Sequence, residues 1–264
     1  TLDYANKVVA ITGGARGIGL AMAQAFHARG ARIALADLGE AETAAETFDG
    51  LGMTVDVGVE GQVAEFIQKT EAVLGPIDVY VSNAGVLMTD EPSWDAAGAS
   101  DATWPLAFEV NLMGAVRGAR HVWPGMRERG GGIFVIVASA AGLLAQIGAA
   151  PYTATKHAVV AFAESLSIAH GDDGLQVVCV CPQGVRTAML GDSDDGGIAG
   201  VDGIVEPSAV ADVTLAAIEE KKFFALPHPN VTDYETMRTG QRDRWLGGMR
   251  KFRRKMMSER GRPL

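Results

Sequence analysis

A doubly wound α/β domain, with a parallel sheet and helices on both faces, is what this chain predicts, and three features carry the prediction. Apolar β-branched runs alternate with amphipathic stretches long enough for helices, the runs are apolar at nearly every position, and a glycine-rich turn follows the first of them. A strand that is apolar on consecutive residues is buried on both faces, which points to a parallel sheet covered by crossover helices. Right-handed crossovers then place helices on both sides of it.

In order, the strand candidates are VVAIT (8–12), RIALAD (32–37), MTVDV (53–57), IDVYVS (77–82), GIFVIVAS (132–139) and LQVVCVC (175–181). Helices are expected over 17–30, 60–74, about 103–129 and 152–170, where apolar residues recur with helical period. Segments 88–103 and 188–206 are rich in Gly, Asp, Ser or Pro and read as loops, the second as a substrate lid. Residues 231–264 read as a basic helical tail, so that 1–264 forms a single domain. In such sheets ligands bind at the carboxyl ends of the strands, where these loops lie.

Composition sets outer limits. The 264 residues are 48% hydrophobic and 21% charged, ordinary globular values without a sign of disorder. No apolar run approaches the roughly 18 residues that span a bilayer. The opening TLDYANK lacks the basic-then-apolar layout of a secretory signal, so a soluble cytoplasmic protein is expected. Cys179 and Cys181 lie two apart on a strand, facing the same way. That is not metal spacing, so buried free thiols in a reducing compartment and no metal site are expected. Net charge is −9, but residues 238–264 hold ten Lys or Arg against Asp243 and Glu259, which leaves the body strongly acidic. An acidic body argues against nucleic acid as a partner.

The turn TGGARGIG places Gly13, Gly17 and Gly19 between the first strand and its helix. Glycines admit a pyrophosphate close to the backbone, and the helix N-terminus offers it unpaired N–H groups. Arg16 and Ile18 sit inside the turn and join the cofactor-contacting set. Asp37 ends the next strand, 18 residues beyond Gly19, where a carboxylate can accept from both ribose hydroxyls of a dinucleotide. It would repel a 2′-phosphate, so NAD is preferred over NADP; Arg16, which could meet that phosphate, argues the other way. The competing reading of Asp37 is a helix N-cap before GEAETAAE. Asp56 and Val57 could hold the adenine, or Asp56 could be a strand-end turn residue. Asn83, Ala84 and Gly85 could let the backbone pass the cofactor ribose, or form an ordinary Asn turn.

Tyr152 and Lys156, four apart on a predicted helix, share a face. A phenol is a poor base at neutral pH, but an ammonium beside it favours the phenolate and brings proton transfer within range. Ser139, thirteen residues before Tyr152, ends the fifth strand and could hold a substrate oxygen next to the phenol. Asn111 lies in the long helix, where its amide could hold a water that relays protons from Lys156. Composition alone yields this Ser, Tyr and Lys spacing in about 0.4% of shuffled chains, before the glycine turn is required.

These residues closely resemble those of the classical short-chain dehydrogenases/reductases, from about Lys7 to Thr187: TGxxxGxG at Thr12–Gly19, NAG at 83–85, and the tetrad Asn111, Ser139, Tyr152 and Lys156. The resemblance implies a Rossmann-type fold and hydride transfer to a nicotinamide. Tyr152 would be general acid/base, Ser139 would orient the substrate, Lys156 would bind the nicotinamide ribose, and Asn111 would support the relay. It also places Pro182, Gly184, Val185 and Thr187 at the nicotinamide and implies a homodimer or homotetramer. The chain departs from the family after the sixth strand, where Gln183 stands between Pro182 and Gly184; it could face substrate or cap the turn.

Val86, Met88, Leu143, Leu144, Met189 and Leu190 follow strand ends and would make an apolar pocket, suited to a small hydrophobic secondary alcohol or ketone. In the tail, Trp245, Met249, Phe252 and Met256 form an apolar helical stripe opposite basic residues. It would pack on the acidic body or a neighbouring subunit, with an anionic membrane as the less favoured alternative. Two rival functions remain: an NADPH-dependent carbonyl or 3-oxoacyl reductase, which Asp37 argues against, and a non-catalytic dinucleotide-binding protein, which has no need of Tyr152.

Overall fold

A computed structural model of the chain describes residues 3–90, 94–190 and 197–261. Part of each expected loop, 91–93 and 191–196, lies outside the described residues, the latter in the middle of the expected lid. The strands are β1 (Val8–Thr12), β2 (Arg32–Asp37), β3 (Leu51–Thr54), β4 (Ile77–Ser82), β5 (Gly132–Val137), β6 (Leu175–Val180) and β7 (Phe224–Ala225). The helices are α1 (Gly17–His27), α2 (Ala41–Glu46), α3 (Glu60–Leu74), α4 (Thr103–Phe108), α5 (Gly114–Glu128), α6 (Ala150–His170), α7 (Pro207–Glu219), α8 (Asn230–Gly240) and α9 (Arg242–Arg260).

All seven strands are parallel, in the order β3-β2-β1-β4-β5-β6-β7. Strand order reverses between β1 and β4, which opens a crevice at their carboxyl ends. Alternate residues feed two cores. Val8 and Ala10 join one with Phe66 of α3, Val122 of α5 and Val159 of α6, while Val9 and Ile11 join the other with Phe26 of α1 and Leu215 of α7. This two-sided burial is why the strands are apolar at every position, and each fully buried side chain such as Phe26 or Phe66 contributes about 1.5–3 kcal/mol.

Four differences from the sequence reading stand out. The third strand begins and ends earlier than expected, at Leu51–Thr54, and Gly52 within it passes against the backbone of Ala41 and Glu42, where a Cβ would overlap. Asp56 therefore lies beyond the strand, its N–H donating to Gln62 Oε1 at 2.7 Å. The short α2 and β7, and the 13-residue α7, are additional elements. The long helix over 103–129 is present but carries a π-helical turn, Glu109–Met113, between α4 and α5, and Asn111 sits at its centre. The tail is two helices, broken at Gln241 (φ −137°, ψ 57°), with Gly261 in the left-handed region closing α9.

Candidate active site

A cleft of about 1740 Å³ runs along the carboxyl edge of the sheet. At one end it is lined by Asp37, Asp56 and Val57, in the middle by Gly13, Arg16, Gly17, Ile18, Asn83, Ala84 and Gly85, and at the other by Ser139, Tyr152, Lys156, Pro182, Val185 and Thr187.

The glycine turn is shaped by close approach. Gly13 and Gly17 have φ of +62° and +56°, values that disfavour any side chain. A Cβ on Gly19 would overlap the Gly13 carbonyl oxygen and lie 2.6 Å from Asn83 Nδ2. Gly19 does not line the cleft; it lets α1 seat against the turn. The N-cap of α1, Arg16, makes no side-chain cap, and no acidic residue occupies the first turn. Those N–H groups and the dipole end are available to an anion, so the cradle fits the pyrophosphate of a dinucleotide.

Asp37 is not a helix N-cap, since Glu40 occupies that position of α2. Its Oδ2 accepts from Ala15 N–H at 3.0 Å and its Oδ1 from Leu38 N–H at 2.8 Å, which leaves one acceptor position on each oxygen. Asp56 Oδ1 accepts from Gly58 N–H at 2.8 Å, a turn role, while the residue still faces the cleft. The Asn83 amide donates to the carbonyls of Thr12 (3.0 Å) and Gly13 (2.8 Å), so its two hydrogens tie the end of β4 to the glycine turn.

Asn111 is buried and outside the cleft lining. Its Oδ1 accepts from Val86 N–H at 2.8 Å, and its Nδ2 donates to Val86 O at 3.0 Å and Thr155 Oγ1 at 3.1 Å. Both amide hydrogens are thus spent. The amide positions the loop after β4 against α6, and one lone pair of Oδ1 is left that could accept from a water. Gly85 is needed here, because a Cβ would lie 3.1 Å from Asn111 Oδ1 and 3.5 Å from Lys156 Nζ.

Ser139 caps the single turn Ala140–Gly142, its Oγ accepting from Ala141 N–H at 3.1 Å, with only a long 3.5 Å donation to Pro182 O. Its proton can therefore turn to a ligand. Lys156 Nζ donates to Val137 O at 3.0 Å and lies 5.6 Å from the centroid of the Tyr152 ring. Burial pushes the Tyr152 phenol above its ordinary pKa, with the Ser139 hydroxyl pulling it back, and burial pulls Lys156 down to about 8. Desolvation of a buried phenolate sets the direction of the phenol's shift in the protein alone, not the expected lowering by the ammonium.

The loop after β6 runs Pro182 to Thr187. Gly184 does not itself line the cleft; its N–H donates to Ala199 O at 2.8 Å and its carbonyl accepts from Val205 N–H at 3.0 Å. The Gln183 N–H donates to Nδ1 of buried His228 at 3.2 Å, while Gln183 also lines the cleft. His228 Nε2 meets Gly203 O at 3.3 Å, and burial disfavours its charged form. Cys179 and Cys181 are buried free thiols with Sγ atoms 3.7 Å apart, as their spacing suggested. Among the described residues no His, Cys, Asp and Glu cluster could hold a metal ion, and no helix is long and apolar enough to cross a membrane.

Of the expected apolar wall, Val86, Met88, Leu144, Met189 and Leu190 line the cleft, whereas Leu143 is in the core. The sequence reading missed the contribution of the C-terminal helices: Tyr234 and Met237 of α8, and Arg244, Trp245, Met249 and Phe252 of α9, all face the cleft. The tail stripe therefore packs on the body, with Trp245 and Met256 buried and the Arg238 guanidinium over the Trp245 ring at 5.6 Å. Its amphipathic period was the available signal.

Fold and cleft define a doubly wound α/β protein with a dinucleotide-sized groove and a Ser, a Tyr and a Lys gathered at one end. The family model described as short chain dehydrogenase matches residues 7–196. The chain belongs to the short-chain dehydrogenase/reductase family of oxidoreductases. Among its relatives, the sex determination protein tasselseed-2 of Zea mays is 37% identical over 192 residues, 70% of this chain and 57% of that protein. The 2-(R)-hydroxypropyl-CoM dehydrogenase of Xanthobacter autotrophicus is 36% identical over 197 residues, 70% of this chain and 76% of that one. A solved short-chain dehydrogenase/reductase from Burkholderia phymatum in complex with NAD superposes with a TM-score of 0.82 at 26% identity, covering 92% of this chain and 96% of the other.

Proposed function

We propose that this protein is an NAD(H)-dependent oxidoreductase that interconverts a secondary alcohol and a ketone on a small apolar molecule. The observation that carries the reading is the gathering of Ser139, Tyr152 and Lys156 at one end of a groove whose other end presents Asp37. Bound there, the nicotinamide supplies the hydride acceptor and, when oxidised, a positive charge. Tyr152 takes the proton of the substrate hydroxyl, or returns it to a carbonyl oxygen, while the Ser139 Oγ–H holds that oxygen. Lys156 uses one of its three hydrogens on Val137 O, which leaves two for the cofactor ribose and places an ammonium beside the phenol. The remaining acceptor positions of Asp37 suit a free ribose hydroxyl pair and repel a 2′-phosphate. Arg16, which also lines the groove, supports the alternative of an NADPH-linked carbonyl or 3-oxoacyl reductase.

The relatives named as dehydrogenases of hydroxy compounds support the alcohol class, among them a 3beta-hydroxysteroid dehydrogenase of Eggerthella lenta, 34% identical over 191 residues. Methionine and aromatic side chains from α8 and α9 support an apolar substrate. The same reading includes a homodimer or homotetramer, on the family resemblance, and a cytoplasmic location, on the buried free thiols. The deciding experiment screens secondary alcohols with NAD and NADP by cofactor absorbance, with Tyr152→Phe alongside. Turnover with NAD that is lost in the variant supports the reading; dinucleotide binding without turnover across a broad panel sinks it in favour of a sensor, and preference for NADP overturns the cofactor.

A further inference from the structure

Asp90 is a buried carboxylate, 3% exposed, that the proposed chemistry does not use. It lies in the loop after β4, and its Oδ1 accepts from Ala150 N–H at 2.6 Å. Ala150 is the first residue of α6, two before Tyr152, and the preceding Ala149 has no side chain with which to cap the helix. Asp90 supplies that cap from 60 residues away in sequence. Its N–H also donates to Gly148 O at 2.8 Å, so one residue holds both the approach to α6 and its first turn.

The other end of this loop is held to the same helix. Asn111 binds both backbone groups of Val86 and reaches Thr155 of α6. Between the two anchors, Leu87 packs with Ala141, Ala149 and Tyr152. The loop is thus clamped to α6 at Val86 and at Asp90, with the wall of the phenol in between. From outside, Arg253 of α9 donates to Trp94 O at 3.0 Å, while Trp94 N–H donates to Asp90 O at 3.0 Å. A buried carboxylate is costly unless bonded and opposed by positive charge; here the short Ala150 bond and the attraction of Arg253 offset burial, which on balance still raises the Asp90 pKa.

We propose that Asp90 is a positioning residue for Tyr152, fixing the start of α6 and the Leu87 wall against the phenol, and that Arg253 ties the C-terminal helix α9 into the same clamp. This rests on the reading that Tyr152 moves the proton. Displacing a reacting group by about 1 Å costs on the order of a hundredfold in rate, so a small shift at the first turn of α6 registers in turnover.

The test compares Asp90→Ala, Asp90→Asn and Arg253→Met in the full chain, by steady-state kinetics, cofactor calorimetry and amide exchange of residues 150–156. Asp90→Ala is expected to lose about tenfold or more in kcat, with cofactor Kd within about twofold and faster exchange at the start of α6. Asp90→Asn keeps an oxygen that accepts from Ala150 and should stay within about threefold of the wild type on both readouts. Arg253→Met should speed exchange in the same segment while leaving the Ala150 bond in place. If Asp90→Ala does not fold, Asp90→Ser, whose shorter side chain cannot reach, takes its place with the same expected losses. Wild-type kcat and exchange in Asp90→Ala, or equal loss of kcat in Asp90→Ala and Asp90→Asn, overturns the assignment; unchanged exchange in Arg253→Met removes α9 from the clamp. A wild type without turnover sinks the functional reading alone, because the exchange readout tests Asp90 with or without activity.

Discussion

The Lys156 ammonium stands 5.6 Å from the centroid of the Tyr152 ring while the phenol keeps a raised pKa. With its own pKa drawn down only to about 8, the lysine is still mostly protonated at neutral pH and remains the positive charge nearest the proton in transit. Alcohol oxidation needs the phenolate, so kcat/KM for oxidation should rise with pH through the neutral range, and reduction should fall. Lys156→Met should move that rise to higher pH and lower kcat/KM by about 10²–10⁴-fold. Profiles of both proteins from acid to alkaline pH check this, and a wild-type rate that ignores pH contradicts it.

Asp37 has two tasks, and their effects on the two dinucleotides differ. It accepts the Ala15 and Leu38 N–H groups, and it presents its remaining lone pairs to the groove. Asp37→Asn keeps one acceptor oxygen for the turn, sets its NH2 group against the other N–H donor, and loses the charge. Affinity for NADH should fall about tenfold or more, as for loss of a hydrogen bond to a charged group, while NADPH gains. Calorimetric titration with both dinucleotides gives the ratio, and an unchanged preference for NADH would remove Asp37 from cofactor selection.

A methyl group on Gly19 would have to share space with the Gly13 carbonyl oxygen and Asn83 Nδ2. Backbone cannot yield as a flexible side chain can. Gly19→Ala should destabilise the fold by about 1–3 kcal/mol and weaken dinucleotide binding, because α1 is levered off the turn. Urea unfolding with and without NAD measures both effects; wild-type values for each would show that the turn has slack.

Much of this arrangement is readable along the chain because it depends on neighbours in sequence. Strands β1, β2 and β4 fall on the expected residues, and the Gly13–Gly19 turn and the Tyr152–Lys156 pair follow from spacings shorter than one helix or one turn. What escapes such reading depends on partners far apart. The Asp90 cap of α6 joins residues 60 apart, and the Gln183–His228 bond joins residues 45 apart. The π turn around Asn111 leaves no periodic mark, since a single wide turn does not disturb the apolar spacing of α4 and α5. For α9 the stripe was visible, but an amphipathic period says that a face is covered without saying by what.

That stripe predicts substrate behaviour. Phe252 and Met249 face the groove from α9. Phe252→Ala should raise KM for bulky apolar alcohols about tenfold, in line with the loss of part of a buried aromatic surface, and leave NAD affinity unchanged. Equal effects on small and bulky alcohols would mean that the helix does not touch substrate.

Docking of the C-terminal helices should also depend on pH through His157. Its Nδ1 lies 2.9 Å from Thr153 O and its Nε2 lies 2.8 Å from Arg238 Nη2, so the neutral ring with the proton on Nδ1 donates to Thr153 and accepts from Arg238. Burial lowers its pKa, and the charges of Arg238 and Arg242 lower it further, against the Thr153 carbonyl. A base with a depressed folded pKa contributes full stability above its unfolded value of 6.5 and loses it as pH falls toward the folded value. Protonation would set two cations face to face, and Arg238 also covers Trp245. Below about pH 6.5 the α8–α9 unit should therefore loosen, seen as faster amide exchange in 230–260 and a red shift of Trp245 emission. His157→Gln, which still offers an acceptor to Arg238 without titrating, should flatten this dependence; an equally steep loss in that variant would assign the transition to another group.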